Sequence, residues 1–488
     1  MRSTMMDVPL TVTALMRYGT SVYGDKEVVT CTADGTRRQS YATTGERAAR
    51  LANALRRLGI DGDQRVATLL WNNAEHLEAY LAVPSMGAVL HTLNLRLDPG
   101  QLTYIANHAE DHVIIVDATL VPLLARVLPG METVRHVLVT GPSGPTDPAQ
   151  TQSLAAPGRQ VHSYEDLLAA ESTSFEWPDL DEKSAAAMCY TSGTTGRPKG
   201  VVYSHRSTYL HSMGVCLGNT FGLSERDRVL PVVPMFHANA WGLAYASVLA
   251  GADLIMPDRF LQPEPLVRLI EAERPTVAGA VPTIWNALLQ HVRARGGDLS
   301  SLRLVPCGGS AAPHALQEAY EKELGVRILH AWGMTETSPL GSVAHPPAGV
   351  PEDEAWRYRD TQGRLMCQVE ARLVGDAGTV LPQDGVAVGE IEVRGPWVTG
   401  SYYKDDDPAK FRDSWLRTGD VGTIDPLGFI MLTDRAKDVI KSGGEWISSM
   451  ELENALMAHP EVTEAAVIGV PDDKWGERPL AAVGSRTA

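Results

Sequence analysis

The sequence predicts an α/β protein whose larger part holds two mostly parallel sheets covered by helices. Over the first 330 residues, short apolar runs alternate with amphipathic stretches of helical length. This alternation is typical of βαβ units, and the series is too long for one simple sheet. The predicted strands are residues 65–70, 112–116, 136–140, 185–190, 229–233, 253–256, 276–280, 302–307 and 326–330. The predicted helices between them include residues 74–83, 265–273 and 313–324.

The pattern changes after about residue 345. Residues 368–374 and 389–394 read as short strands separated by Gly and Asp turns, which predicts a small antiparallel, barrel-like β subdomain. After residue 434 a helix–strand pattern returns. The segment SSME at 448–451 forms a capping box for a helix through 457, and residues 465–470 read as a strand. Residues 141–160 are rich in Pro, Gly and Ser and predict a surface loop.

Composition excludes several classes of function. The 488 residues carry a net charge of −16, which makes the chain a poor non-specific binder of nucleic acid or anionic membranes. The five cysteines are scattered without a CxxC pair, which argues against a structural zinc site or a disulfide framework and indicates a reducing compartment. No apolar run reaches the roughly 20 residues that span a bilayer. We expect a cytoplasmic protein, with peripheral membrane contact and a homodimer left open.

The stretch YTSGTTGRPKG at residues 190–200 is the strongest local signal. It follows an apolar strand, and its glycines at 193, 196 and 200 permit positive φ and close backbone approach, so successive N–H groups can cradle an anion. It is not a Walker A loop, because Pro198 rather than Gly precedes Lys199. The residues predicted to bind phosphate are Thr191, Ser192, Gly193, Thr194, Thr195, Gly196 and Lys199.

This stretch resembles the phosphate-binding signature of the adenylate-forming superfamily, which comprises acyl-CoA synthetases, luciferases and peptide-synthetase adenylation domains. Three further segments resemble that family in the same order: AWGMTET at 331–337, WLRTGD at 415–420, and DRAKD at 434–438 followed by IKSGGE at 440–445. The resemblance covers essentially the whole chain. It implies a large AMP- and acyl-binding domain over residues 1–433, with its β-rich part at about 345–433, and a small, mobile α+β domain over 434–488.

The resemblance implies that a carboxylate attacks the α-phosphorus of ATP and that the acyl group then passes to CoA. In this reaction Lys199 holds the β- and γ-phosphates, and Glu336 with Thr335 contacts Mg²⁺, a cation that prefers oxygen ligands. Trp332 stacks on adenine, where many relatives carry Tyr. Asp420 accepts hydrogen bonds from the ribose, and Arg435 supports the ribose or phosphate. The remaining nucleotide-binding positions are Gly308, Gly309, Ser310, Ala331, Gly333 and Met334.

The thiol half-reaction is assigned to the region after residue 433. The resemblance implies that the small domain rotates about Asp434, and that Lys441, Gly443 and Gly444 line a channel for the pantetheine arm of CoA. No cysteine nucleophile is needed, because the thiol arrives with CoA.

The segment VPMFHANAW at 233–241 resembles that of medium- and long-chain fatty-acyl-CoA ligases. There the histidine, here His237, lies beside the reacting carboxyl group, and an aromatic residue, here Trp241, gates an acyl tunnel. Gly309 also lines the acyl site in this interpretation. The substrate prediction is therefore a medium- or long-chain fatty acid.

The C-terminal segment departs from the family pattern. Relatives continue past the GERP segment and supply a lysine to the α-phosphate region, whereas the last lysine here is Lys474. We therefore expect a truncated small domain and weakened adenylation. The alternatives are a ligase for an aromatic or short sulfur-containing acid, an acyl-AMP ligase that serves a carrier protein, an oxygen-dependent luciferase, and a non-catalytic nucleotide- or acyl-binding remnant.

Overall fold

The computed structural model describes residues 1–141, 152–191, 197–375, 377–405, 407–435, 440–442, 445–447, 449–457, 459, 461–472 and 476–485. The chain divides into two compact units. The first unit contains Met1–Ala278, and the chain returns to it for two short segments, Thr335–Pro339 and Ser401–Asp406. The second unit contains the remaining residues.

The first unit is built on two mostly parallel sheets. In one, every neighbouring pair is parallel except the last pair, which is antiparallel. Its seven strands, in spatial order, are Gln160–Ser163, His136–Thr140, Asp111–Asp117, Arg65–Leu69, Val89–Thr92, Ala185–Tyr190 and Gly200–Ser204. The five strands of the other, in spatial order, are Val277–Gly279, Arg228–Pro231, Asp253–Met256, Glu27–Thr32 and Gly35–Ser40.

Helices cover these sheets, so that central strands such as Arg65–Leu69 are buried along their whole length. Side-chain caps fix several helix starts. Asn73, for example, accepts a hydrogen bond from the His76 N–H at the start of Ala74–Ser85. Among the described residues, the α-helices of the first unit include Val12–Val22, Tyr41–Arg57, Ala74–Ser85, Pro99–Ala109, Val121–Val127, Tyr164–Ala169, His205–Cys216, Leu243–Ala250 and Pro263–Glu273. The short turn Ala238–Trp241 precedes Leu243–Ala250 and has a left-handed backbone. The short 3-10 helices of this unit are Ala118–Leu120, Leu128–Gly130 and Thr335–Thr337.

The second unit contains a sheet of ten strands that is antiparallel apart from its first pair. In spatial order the strands are Val305–Cys307, Ile328–Gly333, Leu340–Val343, Gly363–Leu365, Phe429–Arg435, Trp415–Ile424, Gly389–Arg394, Glu370–Val374 and Val380–Leu381, with Phe411–Arg412 beside Trp415–Ile424. A separate four-stranded sheet has the order Glu445–Ile447, Ile440–Ser442, Gly476–Ser485 and Val462–Asp472. The helices of this unit are Pro282–Arg295, His314–Leu324, Glu352–Arg359, the 3-10 turn Pro408–Lys410 and Ser449–Met457.

The predicted α/β class and the two mostly parallel sheets are confirmed. The antiparallel region begins earlier than the sequence pattern indicated, because Ile328–Gly333 pairs in parallel with Val305–Cys307 on one side and antiparallel with Leu340–Val343 on the other. None of the helices within the described residues combines the length and apolar character needed to span a bilayer.

Candidate active site

The predicted phosphate-binding loop connects two antiparallel strands of the seven-stranded sheet. Thr191 follows Ala185–Tyr190, and Lys199 precedes Gly200–Ser204. The Thr191 N–H donates to the Lys199 carbonyl at 2.9 Å, and the Lys199 N–H donates to Thr191 Oγ1 at 3.0 Å. These bonds close the neck of the loop and fix the position from which the Lys199 side chain starts. Residues 192–196, which carry the other predicted phosphate contacts, lie outside the described residues.

Gly200, at the base of this loop, has a structural role that differs from the one predicted. It is not among the residues with a left-handed backbone, so conformational freedom does not explain the glycine. A Cβ atom at this position would lie 3.1 Å from Cζ of Tyr190 and 3.3 Å from Cβ of Tyr403. The Tyr403 N–H also donates to the Gly200 carbonyl at 2.9 Å. The glycine therefore lets two tyrosines pack against the base of the loop.

Glu336 lies in the 3-10 turn Thr335–Thr337 and belongs to the same unit as Lys199. Its side chain is buried, with the residue 5% exposed, and its Oε1 accepts a hydrogen bond from the Tyr402 hydroxyl at 2.6 Å. The Tyr203 hydroxyl donates to the neighbouring Thr335 carbonyl at 2.8 Å. Burial raises the pKa of Tyr203 well above its usual value, which keeps this phenol protonated as a donor.

The surroundings of Glu336 fit a divalent cation. Burying a carboxylate is costly unless a cation or hydrogen-bond donors compensate, and no Lys, Arg or His forms an ion pair with Glu336 within the described residues. Those residues also contain no group of three or more His, Cys, Asp or Glu side chains able to hold a metal ion. Mg²⁺ often uses one or two protein carboxylates and takes its other ligands from substrate phosphates and water. Glu336 matches that donor set.

A backbone segment of unusual handedness follows His237 and includes Trp241. Ala238, Asn239, Ala240 and Trp241 have φ values of 38°, 52°, 54° and 56°, and Gly242 follows with 76°. Left-handed backbone costs an L-residue roughly 1–2 kcal/mol. Strain of this kind is concentrated at functional sites. The sequence carries no signal of this conformation, because Ala and Trp do not adopt positive φ readily.

The protonation state of His237 limits what it can do. Burial, with a smaller contribution from the charge of Arg96, lowers the pKa of His237 to about 4. The imidazole is therefore neutral near pH 7. It can donate a hydrogen bond to a carboxylate but cannot neutralise the charge of the carboxylate.

Trp332 and Asp420, the residues predicted to bind the nucleoside, contact each other within the second unit. The Trp332 indole Nε1–H donates to Asp420 Oδ2 at 2.8 Å, while the Asp420 N–H donates to Thr418 Oγ1 at 3.0 Å. A Cβ on Gly341 would lie 2.5 Å from Cζ3 of Trp332, so the indole rests directly on that glycine. Sequence reasoning placed both residues at the nucleotide but did not find the hydrogen bond between them.

The structure also locates the other predicted positions of the second unit. Gly308, Gly309 and Ser310 follow the strand Val305–Cys307, and Gly309 and Ser310 are exposed. Gly309 has φ 83°, and a Cβ there would lie 3.3 Å from Val281 Cγ1. Ala331 and Gly333 flank Trp332 in the strand Ile328–Gly333, and Met334 comes directly after it.

The predicted hinge lies at the end of the strand Phe429–Arg435. In the backbone register Asp434 pairs with Val421, and Arg435 pairs with Asp420. Lys441 pairs with Trp446 in the four-stranded sheet. Gly443, Gly444 and Lys474 lie outside the described residues.

Comparison with known proteins agrees with this arrangement. Residues 18–403 match the family model of the AMP-binding enzyme, and residues 451–486 match the AMP-binding enzyme C-terminal domain. The chain is 45% identical to the 3-methylmercaptopropionyl-CoA ligase of Ruegeria pomeroyi over 98% of this chain and 88% of that protein. It is 43% identical to the medium-chain-fatty-acid–CoA ligase of Ectopseudomonas oleovorans, over 98% and 87% of the two chains.

A solved structure is similar over the same extent. The anthranilate CoA ligase AuaEII, in complex with anthranoyl-AMP, superposes with a TM-score of 0.86 at 26% identity and covers 99% of this chain and 88% of its own. The predicted resemblance is thereby confirmed, and the chain belongs to the AMP-binding enzyme family of adenylate-forming enzymes.

Proposed function

We propose that this protein is an AMP-forming acid–thiol ligase that uses ATP and Mg²⁺ to join a fatty acid to CoA. One observation carries the proposal: Lys199, on a loop whose neck is closed, and Glu336, a buried carboxylate without a cationic partner among the described residues, lie in one compact unit. The relatives at 43–45% identity over nearly the whole chain are CoA ligases. That similarity supports an enzyme over a binding protein without turnover.

The reaction has two steps. A carboxylate oxygen of the acid attacks the α-phosphorus of ATP, the bond from that phosphorus to the bridging oxygen breaks, and pyrophosphate leaves. The CoA thiol then attacks the acyl carbon of the acyl-AMP, and AMP leaves while the thiol loses its proton. Both steps depend on positioning and on stabilisation of negative charge more than on strong acid–base groups.

We assign roles within this reaction from the family resemblance and the contacts. Lys199 and residues 191–196 bind the β- and γ-phosphates, and Arg435 contacts the ribose or phosphate. Thr335 and Glu336 hold Mg²⁺, which when bound neutralises phosphate charge. Trp332 stacks on adenine, with residues 308–310 and the rest of 331–334 lining the nucleotide and acyl sites. Asp420, whose Oδ2 accepts from the Trp332 indole, binds the ribose.

The substrate class is assigned from the segment that contains His237 and Trp241. Because His237 is neutral near pH 7, it orients the acid by hydrogen bonding and does not select a charged group beyond the reacting carboxylate. The left-handed backbone of residues 238–242 interrupts the helical geometry of the polypeptide at Trp241, the residue that is proposed to contact the acyl group. We therefore favour a medium- or long-chain fatty acid, the class that the sequence predicts. A short sulfur-containing acid is the second candidate, and the similarity to the Ruegeria enzyme favours it.

The small C-terminal domain is assigned to the second half-reaction. We propose that residues 434–488 form a mobile domain that pivots at Asp434, and that Lys441, Gly443 and Gly444 admit the pantetheine arm. The match of residues 451–486 to the AMP-binding enzyme C-terminal domain supports this boundary.

Mass-spectrometric detection of the thioester tests the assignment. The 488-residue protein is incubated with ATP, Mg²⁺, CoA and single acids: acetate, butyrate, octanoate, palmitate, 3-methylmercaptopropionate and benzoate. We expect the highest acyl-CoA yield with octanoate or palmitate. A maximum with 3-methylmercaptopropionate would favour the second candidate. Absence of thioester with every acid would contradict the proposed function.

A further inference from the structure

Tyr402 contacts the two charged residues to which the phosphate and metal roles are assigned. Its hydroxyl donates to Glu336 Oε1 at 2.6 Å, and the Lys199 ammonium lies 4.9 Å from the centre of its ring. All three residues belong to the first unit. Tyr402 itself lies in one of the two short segments by which the chain returns to that unit, and Glu336 lies in the other.

The hydrogen bond from Tyr402 to Glu336 has the geometry of a strong one. A distance of 2.6 Å falls in the range of an O–H group that donates to an ionised oxygen. Both residues are 5% exposed, so water competes weakly for either group. Because the phenol occupies one carboxylate oxygen, it restricts the rotation of Glu336 and determines how the carboxylate faces a cation.

The aromatic ring makes the second contact. An ammonium within about 6 Å of a ring centre is attracted to the ring face. The Lys199 side chain is 31% exposed and also approaches Asp405 Oδ2 at 3.7 Å. Residues 402–405 therefore support the lysine from two sides, while its extended side chain remains partly accessible to a phosphate.

The segment that carries Tyr402 is anchored independently of both charged residues. The Tyr403 N–H donates to the Gly200 carbonyl at 2.9 Å. Lys404 Nζ donates to Glu110 Oε1 at 2.6 Å, and the Tyr403 ring makes an edge-on contact with the His108 ring at 5.6 Å. These contacts make the segment a firm support for Tyr402.

We propose that Tyr402 is a positioning residue of the ligase reaction, whose hydroxyl orients Glu336 toward Mg²⁺ and whose ring orients Lys199 toward the phosphates of ATP. The proposal rests on the proposed function. The two parts of the side chain have separate effects. The hydroxyl influences Mg²⁺ binding through Glu336, and the ring influences phosphate binding through Lys199. A residue that merely filled space would show no such division.

Calorimetric titration of ATP onto the full-length protein, without any acid, tests this division. Each variant is titrated with ATP in EDTA and with ATP in excess Mg²⁺. The ratio of the Kd in EDTA to the Kd in Mg²⁺ is the metal benefit, the factor by which Mg²⁺ tightens ATP binding. Tyr402→Phe should reduce that benefit about tenfold, as expected for the loss of a hydrogen bond to a charged group, and should leave the Kd of metal-free ATP within about twofold. Tyr402→Leu should also weaken metal-free ATP, by about threefold.

Two further comparisons make the result specific. Tyr403→Phe removes the neighbouring hydroxyl and should leave the metal benefit unchanged. In the Glu336→Gln background the metal benefit should already be small, and adding Tyr402→Phe should change it less than about twofold. If Tyr402→Phe folds poorly in a thermal unfolding control, Glu336→Gln by itself reports on the same contact from the carboxylate side.

The outcomes separate this inference from the proposed function. If wild-type protein binds ATP with a metal benefit and Tyr402→Phe keeps that benefit, the positioning role is overturned and the proposed function stands. An equal loss of affinity with and without Mg²⁺ in Tyr402→Phe would show a purely structural residue and would also overturn it. If wild-type protein fails to bind ATP, both proposals fall.

Discussion

Replacement of Trp332 by Phe tests how the nucleoside-binding residues are held. The change keeps an aromatic face for adenine but removes the Nε1–H group that lies 2.8 Å from Asp420 Oδ2. A hydrogen bond to a charged acceptor contributes roughly 1.5–3 kcal/mol. Because Asp420 is only half-buried, we take the lower end, about 1.5 kcal/mol, and because the bond acts by holding Asp420 in place for the ribose, this value is the upper bound of its effect on affinity, about tenfold. The Kd for AMP, measured by calorimetric titration, should therefore rise by up to about tenfold.

A double-mutant cycle separates this hydrogen bond from the loss of packing. Trp332 is 6% exposed, so the smaller ring should also lower the free energy of unfolding by about 1–3 kcal/mol. The cycle comprises Trp332→Phe, Asp420→Ala and the double variant, all titrated with AMP well below their unfolding temperatures. We expect a coupling energy of at least about 1 kcal/mol. Unchanged AMP affinity in Trp332→Phe, or strictly additive effects, would show that this hydrogen bond does not hold Asp420 for the nucleotide.

Three other predictions follow from the same contacts. Glu336→Gln should lower acid-dependent pyrophosphate release about 10²–10³-fold by weakening charge stabilisation, and a coupled pyrophosphate assay that finds the wild-type rate would count against the metal role. Gly341→Ala places a Cβ 2.5 Å from the Trp332 ring and should lower the free energy of unfolding in urea by about 1–3 kcal/mol. The control Gly400→Ala, whose Cβ meets nothing within 4 Å, should change it little, and equal effects would contradict the packing argument. Burial lowers the pKa of His76 and of His237 to about 4, so the unfolded chain binds protons first as the pH falls below about 6.5. The free energy of unfolding should therefore drop between pH 6.5 and 4, by up to about 1.4 kcal/mol per pH unit for each histidine, and urea curves that show constant stability over this range would argue against neutral buried imidazoles.

The parallel strands could be predicted because burial on both faces leaves continuous apolar runs in the sequence. The predicted strands 136–140, 185–190, 253–256 and 389–394 have the bounds found in the structure. Gly35–Ser40 was not predicted, since its sequence GTRRQS is polar and exposed at a sheet edge. The order of strands could not be derived either, because no local pattern indicates that Val89–Thr92 lies between Arg65–Leu69 and Ala185–Tyr190.

The candidate site shows a similar division between local and long-range information. The motifs around Lys199, Trp332, Glu336 and Asp420 are local strings, so resemblance was enough to identify them. Tyr402 was missed because it reaches Glu336 across 66 residues of chain, and a lone tyrosine carries no sequence signal of such a contact.

The left-handed turn that begins at Ala238 was missed for a different reason. Alanine and tryptophan do not favour positive φ, and the surrounding fold imposes the conformation against their preference.

Phosphorus NMR of the nucleotide products tests directly whether the protein forms an acyl-adenylate. The reaction contains the protein, ATP, Mg²⁺, CoA and octanoate, with 3-methylmercaptopropionate in a parallel sample. AMP and pyrophosphate should form in equal amounts, one of each per thioester, and only when an acid is present. Formation of ADP and phosphate with the thioester, or AMP that appears without an acid, would contradict the assignment as an adenylate-forming ligase.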